Sequence, residues 1–255
     1  MFEQLDSVQV QVLSARQKLN LGCGMHPISG WTNADLYSGE GIDKVFDCEY
    51  EWPIPANTLQ IVHASHMLEH LENPRKFFKH AWRAMVPNGL LLLRLPYGGH
   101  RAAWWDIEHL RPWYAESFAF VQPGYAMSIG NPQHTDWAWP YRIGGVDLRL
   151  STRWTRLMRN WIVRTALLPF VTSIPDAVEE LFVGMSALKT PGDVQQCLYE
   201  RPPNFVPTRL VCYEHQWRRT KTMLGNGLRF HVLQDNAVLP FEKESFRGNV
   251  QRKKL

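Results

Sequence analysis

Apolar and polar positions alternate along this chain with two different periods, and the changes of period mark out its elements. Near the start, Val8-Gln9-Val10-Gln11-Val12 alternates as a strand or an extended arm does. Lys18–Leu21 (KLNL) predicts a short strand ended by glycines, and Trp31–Leu36 predicts a second that closes on Asp35. Val45–Phe46 leads to Asp47 and a turn-rich stretch, EYEWPIPANT, where Pro53 and Pro55 exclude regular structure. Leu59–Ala64 (LQIVHA) is a compact apolar run of strand length.

A period near 3.6 then takes over. Asn73 is a good N-cap, and Pro74 sits at the first helical position, where its missing N–H costs nothing. Phe77, Phe78, Ala81, Trp82 and Met85 recur on one face, with Arg75, Lys76, Lys79 and Arg83 on the other. Pro87-Asn88-Gly89 ends the helix, and Gly89–Leu95 (GLLLLRL) is a near-continuous apolar strand of the kind buried on both faces of a parallel sheet. Residues 97–146 are rich in Gly, Pro, Trp and Tyr and show no clear period. Leu150, Trp154, Leu157 and Trp161 return to helical spacing, and Asp176–Lys189 reads as a second helix. Arg209–Trp217 and Leu228–Leu233 read as strands that complete the sheet as an antiparallel pair, before a frayed basic tail.

Strand, glycine corner, strand, acid, strand, helix and buried strand in succession is an α/β alternation. Ligands of open α/β sheets bind outside the carboxyl ends of the strands. Gly22, Gly24, Asp35, Asp47, Ser65 and His66 all fall at such ends. The expected organisation is an arm (1–16), one domain (17–240) and the tail (241–255). Within the domain a core (17–118) is followed by an insertion (about 119–205) and final strands (206–235).

Composition narrows the class. At 255 residues, 45% hydrophobic and 20% charged, the chain has the make-up of an ordinary globular protein, and no apolar run is long enough to span a bilayer. MFEQLDSVQV lacks the basic-then-apolar order of a secretory signal. Cys23, Cys48, Cys197 and Cys212 form no C-x-x-C pair, so a reduced, cytoplasmic setting is expected. Net charge is +4, with Arg149, Arg153, Arg156, Arg159 and Arg164 gathered near one predicted helix; such a stripe reads first as a solvated face.

The glycine corner carries the chemistry. A dinucleotide fingerprint needs G-x-G-x-x-G and an acid about 20 residues on. Here Pro27 occupies the third glycine position and Asp35 follows Gly24 by 11 residues, so an NAD or FAD reading is poor. The same stretch resembles the class I S-adenosylmethionine-dependent methyltransferases, in particular their type 11-like subgroup. The resemblance rests on LNLGCG (Leu19–Gly24), on Asp35 at the end of the second strand, and on Asp47 followed by EWPIPANTLQ. It also takes in HMLEHL (His66–Leu71) and the run Arg83–Pro96. It covers residues 18–118; Gln60 stands where the family often has an acid, and the segment between Gly24 and Asp35 is short.

The resemblance implies a Rossmann-like fold, a mostly parallel sheet with helices on both faces, here with a helical, aromatic-rich insertion. It implies S-adenosylmethionine as cofactor, contacted by Leu21, Gly22, Cys23, Gly24, Asp35, Leu36, Asp47, Cys48, Ser65 and His66, with Asp35 on the ribose hydroxyls and Asp47 near the adenine. The segment Trp105-Asp106-x-x-His109 resembles one seen in the same subgroup. It makes His109 a candidate base with Asp106 fixing its tautomer, and His66 a border of the methyl-transfer site. Tyr97, Trp104, Trp105 and Trp113 are candidates to wall an acceptor pocket.

Two other classes remain open. His66-x-x-Glu69-His70 formally matches an inverted zinc-hydrolase signature, although no third ligand is marked and no resident metal is expected. A binding or structural protein could also keep this fold without turnover. The methyl acceptor, small molecule or macromolecule, is not identified by the residues. No DPPY-like base-methylation signature follows the fourth strand, where Ala64-Ser65-His66 stands, so nucleic acid is an open but unindicated acceptor.

Overall fold

The structure, a computed structural model, describes residues 17–123, 139–157, 160–199, 210–211, 220–224, 228–232 and 238–243. The arm at 1–16, Trp137, Cys212, most of Arg209–Trp217 and the tail beyond 243 lie outside the described residues.

Strands β1 (Lys18–Leu21), β2 (Thr32–Asp35), β3 (Lys44–Val45), β4 (Leu59–Ser65) and β5 (Met85–Pro96) form the parallel part of one sheet. Strands β6 (Tyr141–Leu150), β7 (Val178–Ala187) and β8 (Leu210–Val211) extend it, giving the order β3-β2-β1-β4-β5-β7-β6-β8. β7 runs antiparallel to both β5 and β6. The order reverses at β1, because β2 lies on one side of it and β4 on the other. The carboxyl ends of those three strands therefore surround a switch point, where this architecture leaves a crevice.

Helix α1 (Pro74–Ala84) joins β4 to β5 as its period predicted, burying Phe77, Phe78 and Ala81. Phe77 packs on Trp52 with ring centroids 5.9 Å apart, and the Phe78 carbonyl accepts a 2.8 Å bond from the Tyr141 hydroxyl. Asn73 occupies the cap position, but its side chain makes no capping bond. The Glu49 carboxylate instead accepts from the N–H groups of Glu72 and Asn73, at 2.6 and 2.9 Å. A carboxylate there also suits the positive end of the helix dipole. Along β5 the faces alternate. Leu91, Leu93 and Leu95 enter the large core, while Leu92 joins Trp31 and Ile61 in a small cluster closed by Ile28. Trp31 and Ile28 of that second cluster come from the loop between β1 and β2.

Three expectations are corrected. Asp176–Lys189 is not a helix: Val178–Ala187 is β7, the strand between β5 and β6. A strand buried on both faces loses the two-residue alternation that would have announced it. The antiparallel pair completing the sheet is β6–β7 rather than Arg209–Trp217 with Leu228–Leu233; of the first only β8 is described, beside β6. Leu228–Val232 is β10 of a separate antiparallel sheet with β9 (Thr220–Leu224) and β11 (Val238–Lys243), so regular structure reaches into the expected tail. Helices α2 (Thr152–Leu157) and α3 (Trp161–Leu167) lie between β6 and β7, as the spacing of Trp154, Leu157 and Trp161 predicted, while Leu150 ends β6. Helix α4 (Pro191–Tyr199) follows β7.

Candidate active site

The corner after β1 is built from backbone conformations that glycine reaches without strain. Gly22 has φ +64° and Gly24 φ +50°. The Gly22 and Cys23 N–H groups both donate to the Ala34 carbonyl, and the Gly24 N–H donates to Asp35 Oδ2 at 2.7 Å. The three consecutive amides are thus directed at the end of β2, and the loop makes room for a ligand rather than donating to one. The two glycines differ in surroundings. A Cβ on Gly22 would lie 2.7 Å from the Met67 Cγ, whereas nothing stands within 4 Å of the corresponding position at Gly24.

Asp35 is half-buried; its Oδ1 accepts from the Tyr37 N–H at 3.2 Å and its Oδ2 from Gly24. A carboxylate has about four acceptor directions, so two remain for donors from solvent or a ligand. Leu36 beside it is exposed and Leu21 is buried. Asp47 accepts from the Glu49 N–H through Oδ1 at 2.8 Å, closing a local turn. Cys48 is buried next to Met67, with the sulfurs 3.9 Å apart. Burial holds both thiols protonated, Cys23 pushed up to about 11 and Cys48 to about 12, with Asp35 and Asp47 respectively as the next cause. Neither is a nucleophile.

At the end of β4, Ser65 pairs with Arg94 of β5, and His66 adopts φ +51°, a strained conformation for a non-glycine residue. The His66 ring lies between two carboxylates, Nε2 3.2 Å from Glu180 Oε1 and Nδ1 3.4 Å from Glu69 Oε1. Burial disfavours its charge, but those two carboxylates outweigh it and raise its pKa to about 9. His66 is therefore an imidazolium at neutral pH and offers no lone pair to a proton. Glu180 also accepts two bonds from Arg94 and one from Arg149. Burial works against its charge, yet His66 and the arginines hold its carboxyl down at about 2. Sequence reasoning missed Glu180 altogether, because it was read as part of a helix. It also placed Arg149 on the solvated stripe, whereas Arg149 belongs to β6 and reaches Glu179 and Glu180. Arg153 and Arg156 are exposed on α2.

The loop after β5 brings His109 to the same region through a 2.8 Å bond from the Leu110 N–H to the Glu69 carbonyl. His109 Nε2 lies 3.8 Å from Asp106 Oδ2, too far for a hydrogen bond, so Asp106 does not fix its tautomer in this arrangement. Its Nδ1 is buried without a hydrogen-bond partner. Within the HMLEH segment, His66 faces Glu69 and Glu180. His70 instead packs edge-on against His109, ring centroids 4.8 Å apart. Of the aromatic candidates, Tyr97 and Trp113 are in the core, while Trp104 and Trp105 are exposed.

Among the described residues no helix is long and apolar enough to cross a membrane. No curated protein sequence matches the chain. Residues 14–123 match the family model of a methyltransferase domain, a span that takes in β1 to β5 and the loop carrying His109. Similar solved structures include an S-adenosylmethionine-dependent methyltransferase from Archaeoglobus fulgidus, 14% identical, covering 68% of this chain and 87% of that one, TM-score 0.44. One from Mesorhizobium loti is 12% identical over 68% of this chain and 92% of that one, TM-score 0.40. A Haemonchus contortus phosphoethanolamine N-methyltransferase in complex with S-adenosyl-L-methionine is 14% identical over 69% of this chain and 49% of that one, TM-score 0.40. The family match, which spans less than half of the chain, makes residues 14–123 similar to a methyltransferase domain.

Proposed function

We propose that the protein transfers a methyl group from S-adenosylmethionine to an oxygen, nitrogen or carbon nucleophile of its acceptor, with the cofactor seated on the carboxyl ends of β1, β2 and β4. The observation that carries this reading is the pairing of Gly24 with Asp35. A left-handed glycine with open space at its Cβ position lies beside a carboxylate that its own N–H holds in place.

The residues fit the group. Asp35 keeps acceptor capacity for two hydroxyls of a ribose, and charge-assisted bonds of that kind are the strong ones. Gly22, Cys23 and Gly24 let a ligand approach the backbone, with Leu21 and Met67 behind them. Leu36, Asp47 and Cys48 would border the adenine side, and Ser65 and His66 the reacting side. The bound cofactor supplies an electrophilic methyl group on a sulfonium, and the transfer is a direct displacement. Most of the acceleration therefore falls to alignment and exclusion of water. His66, held charged, orients Glu69 and Glu180 rather than taking a proton; His109 is the histidine with a nitrogen to spare. Exposed Trp104, Trp105, Ile107 and Leu110 form an apolar rim on the loop after β5, suited to covering an acceptor. A cytoplasmic setting, drawn from the scattered cysteines, belongs to the same proposal.

The test is calorimetric titration with S-adenosylmethionine, with NAD as control. One saturable site is expected, weakened about 10- to 100-fold in Asp35→Ala, the loss of a hydrogen-bonded charged acceptor. Absence of binding by the folded wild-type chain would leave the corner a mere turn and overturn the reading.

A further inference from the structure

Glu69 is only 1% exposed, yet among the described residues neither of its carboxylate oxygens has a hydrogen-bond partner; His66 Nδ1 stands 3.4 Å from Oε1. The His66 imidazolium supplies one positive neighbour, and the carboxylate keeps acceptor directions that no hydrogen bond fills. His109, whose side chain is 9% exposed, leaves its Nδ1 equally unpartnered. His70 follows Glu69 on the 3-10 turn Leu68–His70 and packs edge-on against His109. One ligand atom from each of the three lies within 4.8 Å of the other two.

Two imidazoles and a carboxylate are a donor set for zinc and neighbouring first-row divalent ions, not for magnesium or calcium, which prefer oxygen. Ligand atoms around a four-coordinate zinc stand roughly 3.3 Å apart, given bonds of about 2.0 Å, so small side-chain rotations would have to draw the three groups together. The surroundings suit ligation. Coordination through His109 Nδ1 would leave Nε2 facing Asp106 Oδ2, 3.8 Å away, and a small rotation would have to bring the carboxylate into hydrogen-bond distance. His66 stands behind Glu69 in the same sense. The backbone bond from Leu110 to Glu69 fixes the loop so that His109 cannot drift from its partners.

We propose that Glu69, His70 and His109 form a binding site for a divalent transition-metal ion. Three protein ligands leave a coordination position open, as in sites that act on a bound group rather than merely brace a fold. On the methyl-transfer reading, that position takes an acceptor oxygen or nitrogen and lowers its pKa. The acceptor's proton then passes to solvent water before the methyl is transferred, and His109, as a ligand, is not the base.

The test uses the full chain, stripped with a chelator and titrated with cobalt(II), then with zinc(II). The expected result is one equivalent of cobalt with the intense visible bands of a low-coordinate site, bleached by one equivalent of zinc. Glu69→Gln and His109→Asn should each weaken binding at least about 100-fold, while His26→Ala, an exposed histidine elsewhere, should not. Should a variant fail to fold, the wild-type spectrum alone decides. No stoichiometric binding by the folded wild type, only the faint bands of solvated cobalt, or binding indifferent to both substitutions, would overturn the proposal. The cofactor titration needs neither metal nor these side chains, so its failure and this one are told apart.

Discussion

Gly22 and Gly24 share a left-handed backbone but differ in what surrounds them, and that difference predicts different phenotypes. Alanine in this region costs about 1–2 kcal/mol through the backbone alone. At Gly22 the new methyl would also meet Met67 at 2.7 Å, so Gly22→Ala should lose somewhat more stability, and adding Met67→Ala should return the steric part only. At Gly24 nothing stands within 4 Å, so Gly24→Ala should lose only the backbone cost and, on the proposed cofactor site, weaken S-adenosylmethionine binding as its methyl enters that open space. Urea melts set beside cofactor titrations of the two variants check this. Equal stability losses with no effect on binding would contradict the assignment of the open side of the loop.

Helix α1 shows how an amphipathic segment is anchored at both ends by residues its own pattern does not contain. Its apolar face carries Phe77 against Trp52 and Phe78 against Tyr141. Its entry is held by Glu49, and the Trp82 indole N–H near its end donates to the Leu188 carbonyl at 3.1 Å. Phe77 is fully buried, so Phe77→Ala should cost about 3–5 kcal/mol in chemical denaturation. Glu49→Gln keeps an acceptor but loses the charge facing the helix N-terminus, and should cost no more than about 1 kcal/mol. A Phe77→Ala loss below that of Glu49→Gln would mean that the aromatic cluster is not the anchor of this helix.

The parallel half and the β6–β7 half of the sheet are joined electrostatically by Glu180, which faces Arg94 from β5, Arg149 from β6 and His66 from the end of β4. The signs follow from linkage. Glu180 titrates at about 2 in the fold against an ordinary 4.5, so its stabilisation is complete above pH 4.5 and is lost as pH falls towards 2. His66 titrates at about 9 against an ordinary 6.5, so its stabilisation is complete below pH 6.5 and is lost as pH rises through 9. The His66 side chain is 42% exposed, so solvent screening reduces its share to under about 1 kcal/mol. The buried glutamate carries about 2–3 kcal/mol. Melting temperature followed by circular dichroism from acid to alkali should plateau between pH 4.5 and 6.5, fall steeply on the acid side and gently on the alkaline side. Glu180→Gln should lower the plateau and flatten both limbs, since His66 loses its partner with it; unchanged limbs would refute the linkage.

Where a contact is made between near neighbours in the chain, the amino-acid order alone announced it. The period of Phe77, Phe78 and Ala81 foretold α1, the glycines after Leu21 foretold a corner, and Asp35 stands at its predicted place beside it. These features rest on local rules of helix spacing, backbone freedom and strand length, which need no knowledge of distant residues. Tertiary pairing settled the rest. Val178–Ala187 became a strand because β5 and β6 supply its hydrogen bonds on both edges, and Glu180 could be buried because arginines from two other strands and His66 reach it. His70 was visible in a motif, but the ring it packs against is His109, delivered by a loop beyond the next strand. No local period encodes such meetings, since their energy comes from charges and donors that the chain brings together only by folding.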